Sequence, residues 1–391
     1  MVVMSQAASA LSSDSISDKE ALKTVTNLVK QSSGKQLITS QNEISREPQV
    51  LEGCAKLLTR TNSKLQAKAA QAIGTYAFGS ETVASQIVQA PGMLDNLATI
   101  MEQDDKAAQL EAARTVCNCA SYSKEAAEAI VANGNLLSAL QNLCASKDAN
   151  VKAKAIAAIS SLSAYPTCVE SLNNTSVVNS FLMPVVSAKK GLFGSNDTFQ
   201  VTRLDAVTAV VNLGGNVNLD KGATKEALKS FKACLEASLK GKPWAGASWT
   251  PAITLGPLSK LACDEAVRPL FGELKFVKVF AQAFATCASL GEQSMAMQCL
   301  ANVSQDAKCL TSMKKKKYNL VSLLQNKLGC EHSKTLAAYL IDVLSKQEET
   351  PSHNDSNTEE ASEKKDGGDD SDDDCENTDP SGKIVEPAAS G

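Results

Sequence analysis

Histidine is nearly absent: His332 and His353 are the two in 391 residues. That scarcity leaves no cluster of histidines to hold a metal and no Cys/His or Ser/His nucleophile arrangement. A phosphate-binding glycine loop is missing as well, because the stretch from Gly191 to Gly194 is too short and too loosely patterned. No catalytic residue, metal or cofactor is therefore expected. Apolar runs stay below 18 residues, and Met1 to Ser13 lacks the charged stretch and apolar run of a secretory leader. The 12 cysteines stand singly in apolar helical stretches, as at Cys54, Cys144, Cys234, Cys263 and Cys299. Cys117 and Cys119 lie two positions apart, which turns their thiols to different faces of a helix. Such spacing offers no disulfide framework, so a reducing compartment is expected, cytosol or nucleus. Aromatic residues, 4% of the chain, are too few for pleated sheets, while Ala, Leu, Lys and Ser recur as they do in close-packed helices.

What is present is a period. A nine-residue pattern, A-x-x-A-φ-x-N-φ-A with φ apolar, recurs along the chain. The residues in its asparagine slot are Asn27, Thr75, Asn118, Ser161, Asn212, Lys260, Asn302 and Asp342, separated by 48, 43, 43, 51, 48, 42 and 40 residues. Six positions before the slot stands alanine at Ala21, Ala69, Ala112, Ala155, Ala206 and Ala296, small enough for helices to approach closely. Two positions before it the residue is always apolar: Val25, Ile73, Val116, Ile159, Val210, Leu258, Leu300 and Leu340. Each slot thus sits on an amphipathic helix with one buried face.

Each such helix after the first is preceded by an apolar run that reads as a second helix: 51–58, 93–101, 136–144, 177–186, 228–235, 276–285 and 320–324. Between the two lie N-capping residues, Asn62-Ser63, Asp104-Asp105 and Asp148. Residues 85–92 and 128–134 add a short first helix closed by Gly92 and Gly134. The expected unit has three helices. Longer connections, 189–201 and 241–251, interrupt two units, and the copies at Asn27 and Asp342 have the atypical form of caps.

Over residues 15–347 these repeats resemble the armadillo family, most clearly in EAARTVCNCAS at 111–121 and LDAVTAVVNLGG at 204–215. The related HEAT class, usually with two helices per unit, shares the period of about 40 to 47 residues. The resemblance implies an all-α, right-handed armadillo-like solenoid whose third helices line a concave groove. It also implies that Asn27, Asn118, Asn212 and Asn302 bond an extended peptide's backbone, although such an asparagine equally braces a neighbouring helix. Thr75, Ser161, Lys260 and Asp342 break that ladder. Family members that bind basic nuclear-localisation peptides carry tryptophan four residues before the asparagine, where this chain has Arg114, Thr208 and Gln298. Basic peptides of that kind are not expected.

Three cations, Lys68, Arg114 and Lys154, fall on one face of neighbouring units. They read either as a mildly basic groove for acidic ligands or as ordinary solvated charges. Trp244 and Trp249, both in the 241–251 connection, read either as an interface anchor or as a plug beside Pro257. Lys314 to Lys317 read as an import signal or anion patch, or more simply as cations at a helix C-terminus.

From Glu348 onward there are 15 acids against 3 lysines, a net of −12, which leaves +8 on residues 1–347. The segment 348–391 has too few large apolar residues to fold and is expected to be a disordered acidic tail, with Ser371 before Asp372, Asp373 and Asp374 in the setting of an acid-directed kinase target. Residues 1–14 are likewise expected to be disordered. The whole reads as a non-catalytic adaptor or scaffold whose partners are proteins, acidic or extended segments among them. The alternative is a regulator of a small GTPase or heat-shock chaperone. Neither nucleic acid nor membrane is an expected partner. Circular dichroism should be dominated by helix, and a substantial strand signal would overturn the solenoid.

Overall fold

The computed structural model describes residues 2–346 apart from 14, 33–35, 189–195, 216–220 and 327–330. Residues Met1–Lys346 form one compact unit. The acidic segment 348–391, its expected disorder and Ser371 lie outside the described residues. Among the described residues there are 22 α-helices and no strand, with one isolated bridge between Trp244 and Ala247.

The helices fall into the expected units. Helices α1 (Val2–Ser12) and α2 (Asp18–Gln31) come first. Three complete units follow: α3 (Leu37–Ile44), α4 (Gln49–Leu58) and α5 (Ser63–Ala77); α6 (Glu81–Gln89), α7 (Met93–Glu102) and α8 (Lys106–Tyr122); α9 (Lys124–Ala132), α10 (Gly134–Leu143) and α11 (Ala149–Ser163). In the next unit α12 (Pro166–Asn173) leads through a π-turn at Val178–Leu182 into α13 (Met183–Ser187) and α14 (Asn196–Asn212). Then come α15 (Lys221–Leu239) and α16 (Pro251–Leu261), α17 (Arg268–Glu273), α18 (Phe276–Thr286) and α19 (Leu290–Val303), and finally α20 (Ala307–Met313), α21 (Leu320–Asn326) and α22 (Glu331–Ser345). Every slot residue lies on a unit's last helix. These last helices pack in series, α2 on α5, α5 on α8, α8 on α11, α11 on α14, α14 on α16, α16 on α19 and α19 on α22.

Burial follows the period. The six alanines before the slot are each 1% exposed or less, and so are the eight apolar residues two before it. Helices α5 and α8 approach closely, and a Cβ on Gly74 would stand 2.8 Å from Thr115 Oγ1 and 3.1 Å from Thr115 Cα. Thr115 Oγ1 donates across the same contact to Ala70 O at 2.8 Å. Caps fall where they were expected: Asn62 accepts from Leu65 N, Asp105 from Ala108 N, and Asp148 from Asn150 N and Val151 N.

A polar device at the start of the last helices was not read from the sequence. Nine residues before the slot, Gln66 Nε2 donates to Leu58 O and Arg60 O, Gln109 Nε2 to Met101 O and Gln103 O, Arg203 Nη2 to Ala188 O, and Gln293 Nε2 to Cys287 O. Each closes the free carbonyls where the preceding helix ends, so the turn between the two helices is fixed from inside.

Four expectations need correction. Residues 1–14 are not without structure, because α1 buries Met4, Ala7, Ala8 and Leu11, and it packs on α4 where Gly53 has no side chain to hold it off; a Cβ there would stand 2.5 Å from Leu11 Cβ. Helices α6 and α9 begin four residues earlier than read, since Ser123 both ends α8 and caps α9, leaving no loop between them. Gly134 opens α10 rather than closing α9, with Asn133 as the capping residue. Among the described residues the unit of α15 and α16 shows two helices rather than three, and α14 already begins at Asn196, inside the expected 189–201 connection.

Replacing Gly74 by Ala is expected to cost about 1–3 kcal/mol, because the new methyl meets the Thr115 backbone. The urea midpoint of the variant measures this, and an unchanged midpoint would show that α5 and α8 separate freely.

Candidate partner-binding face

The slot residues form a partly exposed row along the last helices, and the row is tied together by hydrogen bonds from unit to unit. Asn118 Nδ2 donates to Gly74 O at 2.7 Å, and Asn302 Nδ2 to Ser259 O at 2.8 Å and Cys263 Sγ at 3.1 Å. Asn212 Nδ2 donates to Ser163 Oγ at 3.3 Å, and Lys260 Nζ to Asn212 Oδ1 at 2.8 Å. Ser161 and Ser121 hydroxyls meet at 2.8 Å. Gly74 and Ser259 lie in the last turns of α5 and α16, where carbonyls have no helical partner, so Asn118 and Asn302 act as caps supplied by the next unit. Asn27 stands apart. It is exposed, bonds no neighbouring helix among the described residues, and lines a cavity of about 460 Å³ with Ser13, Ile16, Lys23 and Thr24.

Bracing therefore uses one amide donor and leaves the rest of the group in place. The Oδ1 of Asn302 accepts from Gln298 Nε2 at 2.9 Å, and that of Asn212 is held by Lys260. Asn118 is partly exposed, and its Oδ1 and second N–H have no partner among the described residues.

Seven residues before the slot lies a second row, which includes two of the three cations, Lys68 and Lys154. Successive units carry Lys68, Glu111, Lys154 and Asp205, alternating in sign. Arg114 pairs with Glu111 one turn away, and Lys68 Nζ donates to Gln71 Oε1 at 2.6 Å. Burial pushes the Glu111 carboxyl up against the opposing pull of Arg114, Lys68 and Lys154. Burial likewise pushes Asp205 up to about 7, opposed by Lys154. Lys68, Arg114 and Lys154 thus converge on a carboxylate that the sequence reading passed over. Glu111 and Asp205 were legible as the same register position in the neighbouring copies.

The edges of the face are apolar. Phe78 and Tyr122, 50% and 37% exposed, meet edge to face at 5.3 Å at the ends of α5 and α8. Ile253 and Met295 replace the charges of the second row on α16 and α19 and are exposed. Trp244 and Trp249 both sit half-buried against the core, 6.0 Å apart, with Trp249 Nε1 donating to Trp244 O at 3.0 Å. A tight turn through Ala245 and Gly246, both at positive φ, closes their loop. Lys314 ends α20 and donates to Lys346 O, as a cation at a helix C-terminus should.

Among the described residues no group of three or more His, Cys, Asp or Glu side chains could hold a metal ion, and no helix is long and apolar enough to cross a membrane. The side chains of His332 and His353 lie outside the described residues.

Comparison with solved structures joins this geometry to a known architecture. An engineered protein matches 88% of this chain and 89% of its own length, with a TM-score of 0.51 and 19% identity. The fold is an armadillo-like α-solenoid. Two designed armadillo repeat proteins are also similar: one in complex with the peptide (KR)4, at a TM-score of 0.47 and 18% identity over 76% of this chain and 98% of its own, and another at 0.38 and 17% over 75% and 99%. No protein-family model matches the sequence, and comparison with curated proteins gives no match.

The raised Asp205 carboxyl sets a pH dependence. Between its unfolded value, near 3.8, and about 7, the folded state holds a proton that the unfolded chain releases, so the stability from this group is complete at low pH and lost as pH rises through about 7. Wild type should lose more stability than Asp205→Asn between pH 5 and pH 8. Parallel urea midpoints for the two proteins would refute this.

Proposed function

We propose that the chain is a non-catalytic adaptor that holds an extended segment of a partner protein along the face made by its last helices. The observation that carries this reading is Asn118, whose amide is fixed by Gly74 O on one side and keeps a donor and an acceptor on the other. An extended segment has unpaired N–H and C=O groups along both edges, and a fixed amide answers one of each. Around it the row holds small polar groups, Thr75, Ser121 and Ser161, that let a backbone come close. Aromatic Phe78 and Tyr122 stand at one edge to receive side chains, and the charged row stands at the other.

The asparagines are not equivalent in this reading. Asn118 has free capacity, whereas Asn212 and Asn302 have both ends of their amides engaged within the solenoid. With a partner segment recovered by crosslinking to the full chain, Asn118→Ala should weaken binding by about 1–3 kcal/mol as the segment's polar groups lose their match. Asn212→Ala should weaken it less. Equal affinity of wild type and the folded Asn118→Ala variant would move the site away from this row.

A further inference from the structure

In the charged row, two of the four members are committed and two are not. Lys68 is held by Gln71, and Glu111 by Arg114. Lys154 on α11 and Asp205 on α14 have no hydrogen bond or ion pair among the described residues, although each lies in the other's field. Both are partly exposed, on helices that pack against each other. Around them stand Glu111 and Cys117 of α8, both facing Lys154, and Cys234 of α15, facing Asp205.

One turn beyond Asp205, the Thr208 hydroxyl is buried without a partner. Other threonines of the last helices, Thr75, Thr115 and Thr202, donate to the carbonyl four residues back. Thr208 does not, which leaves a hydroxyl in reserve beside an unpartnered carboxylate. A cation and a carboxylate on adjacent helices, partly exposed and with no partner among the described residues, leave two charges of opposite sign for a ligand to meet.

We infer that Lys154 and Asp205 form a subsite for an extended segment carrying one acidic and one basic side chain, the acid over Lys154 and the base over Asp205. The inference rests on the adaptor reading and names the chemistry of its ligand. A segment of a single sign gains one attraction at this subsite and suffers one repulsion, whereas a mixed pair gains two. Spacing limits the pair further. Adjacent helix axes stand roughly 8–10 Å apart and an extended chain advances about 3.3 Å per residue, so the acid and base lie two or three positions apart.

The test displays random peptides of about a dozen residues on phage and selects them on the immobilised full-length chain, with the Lys154→Gln/Asp205→Asn double variant selected in parallel. Circular dichroism confirms that the variant is folded. Enriched peptides are synthesised and their affinities measured by fluorescence anisotropy. The expected result is enrichment of an acid and a base two or three positions apart, with about tenfold weaker binding when either charge is reversed in the peptide or when the double variant replaces the wild type. Enriched peptides that lack the pair, or that bind wild type and double variant equally, overturn the subsite and leave the adaptor reading standing. Absence of any enrichment over an unrelated protein overturns both.

Discussion

Most last helices seat on their predecessors through small residues that recur in the repeat, and the rest of the architecture depends on that contact. A single unit of about 43 residues buries too little apolar surface to stand alone, so its stability comes from its neighbours. The alanines six before the slot, from Ala21 to Ala296, are the places where a larger side chain would hold two helices apart. Gly74 carries the requirement to its limit, since even a methyl would strike the Thr115 backbone. Close seating fixes the rotation of each helix about its axis as well as its distance. For that reason the residues seven before the slot form a row, and residues at the slot form another.

Close packing also creates a difficulty at helix ends, because carbonyls in a last turn lose water before they gain a partner. The chain answers with side chains at two fixed positions. Gln66, Gln109, Arg203 and Gln293 close the helix before their own, and Asn118 and Asn302 close a helix of the preceding unit. The asparagines therefore need no ligand to account for their presence. Their bracing role does bear on binding, because an amide pinned at one end presents its other end in a fixed direction, and little conformational entropy remains to be lost when a ligand meets it. Structure and recognition here draw on one group without competing for the same atoms.

Local patterns with a fixed offset were legible in the sequence. The period, the eight slot residues, the second helices and the caps at Asn62, Asp105 and Asp148 each depend on residues within one or two turns of each other. Features that depend on distant residues were not. Helix α1 has apolar residues at Met4, Ala7, Ala8 and Leu11, a helical spacing, but its place in the fold depends on Gly53 some forty residues on. The length of α15 left no mark, since a long and a short second helix carry the same apolar run. The raised carboxyl of Asp205 likewise depends on burial by neighbouring helices, which no local pattern announces.

The alternating signs of the charged row show why net charge is a poor guide to a single face. A body of net +8 invites the reading that its exposed lysines and arginines face an acidic partner. That sum counts charges without regard to where the repeat puts them. Once the helices are in register, Lys68 and Lys154 alternate with Glu111 and Asp205, and Arg114 is spent on Glu111. Long-range attraction falls away within about 8 to 10 Å at physiological ionic strength, whereas the sign of the nearest side chain does not. An alternating row therefore gives little overall pull to any ligand, acidic or basic. On the proposed reading it discriminates instead by the order of charges along a segment, because a repeat sets those charges at a regular spacing.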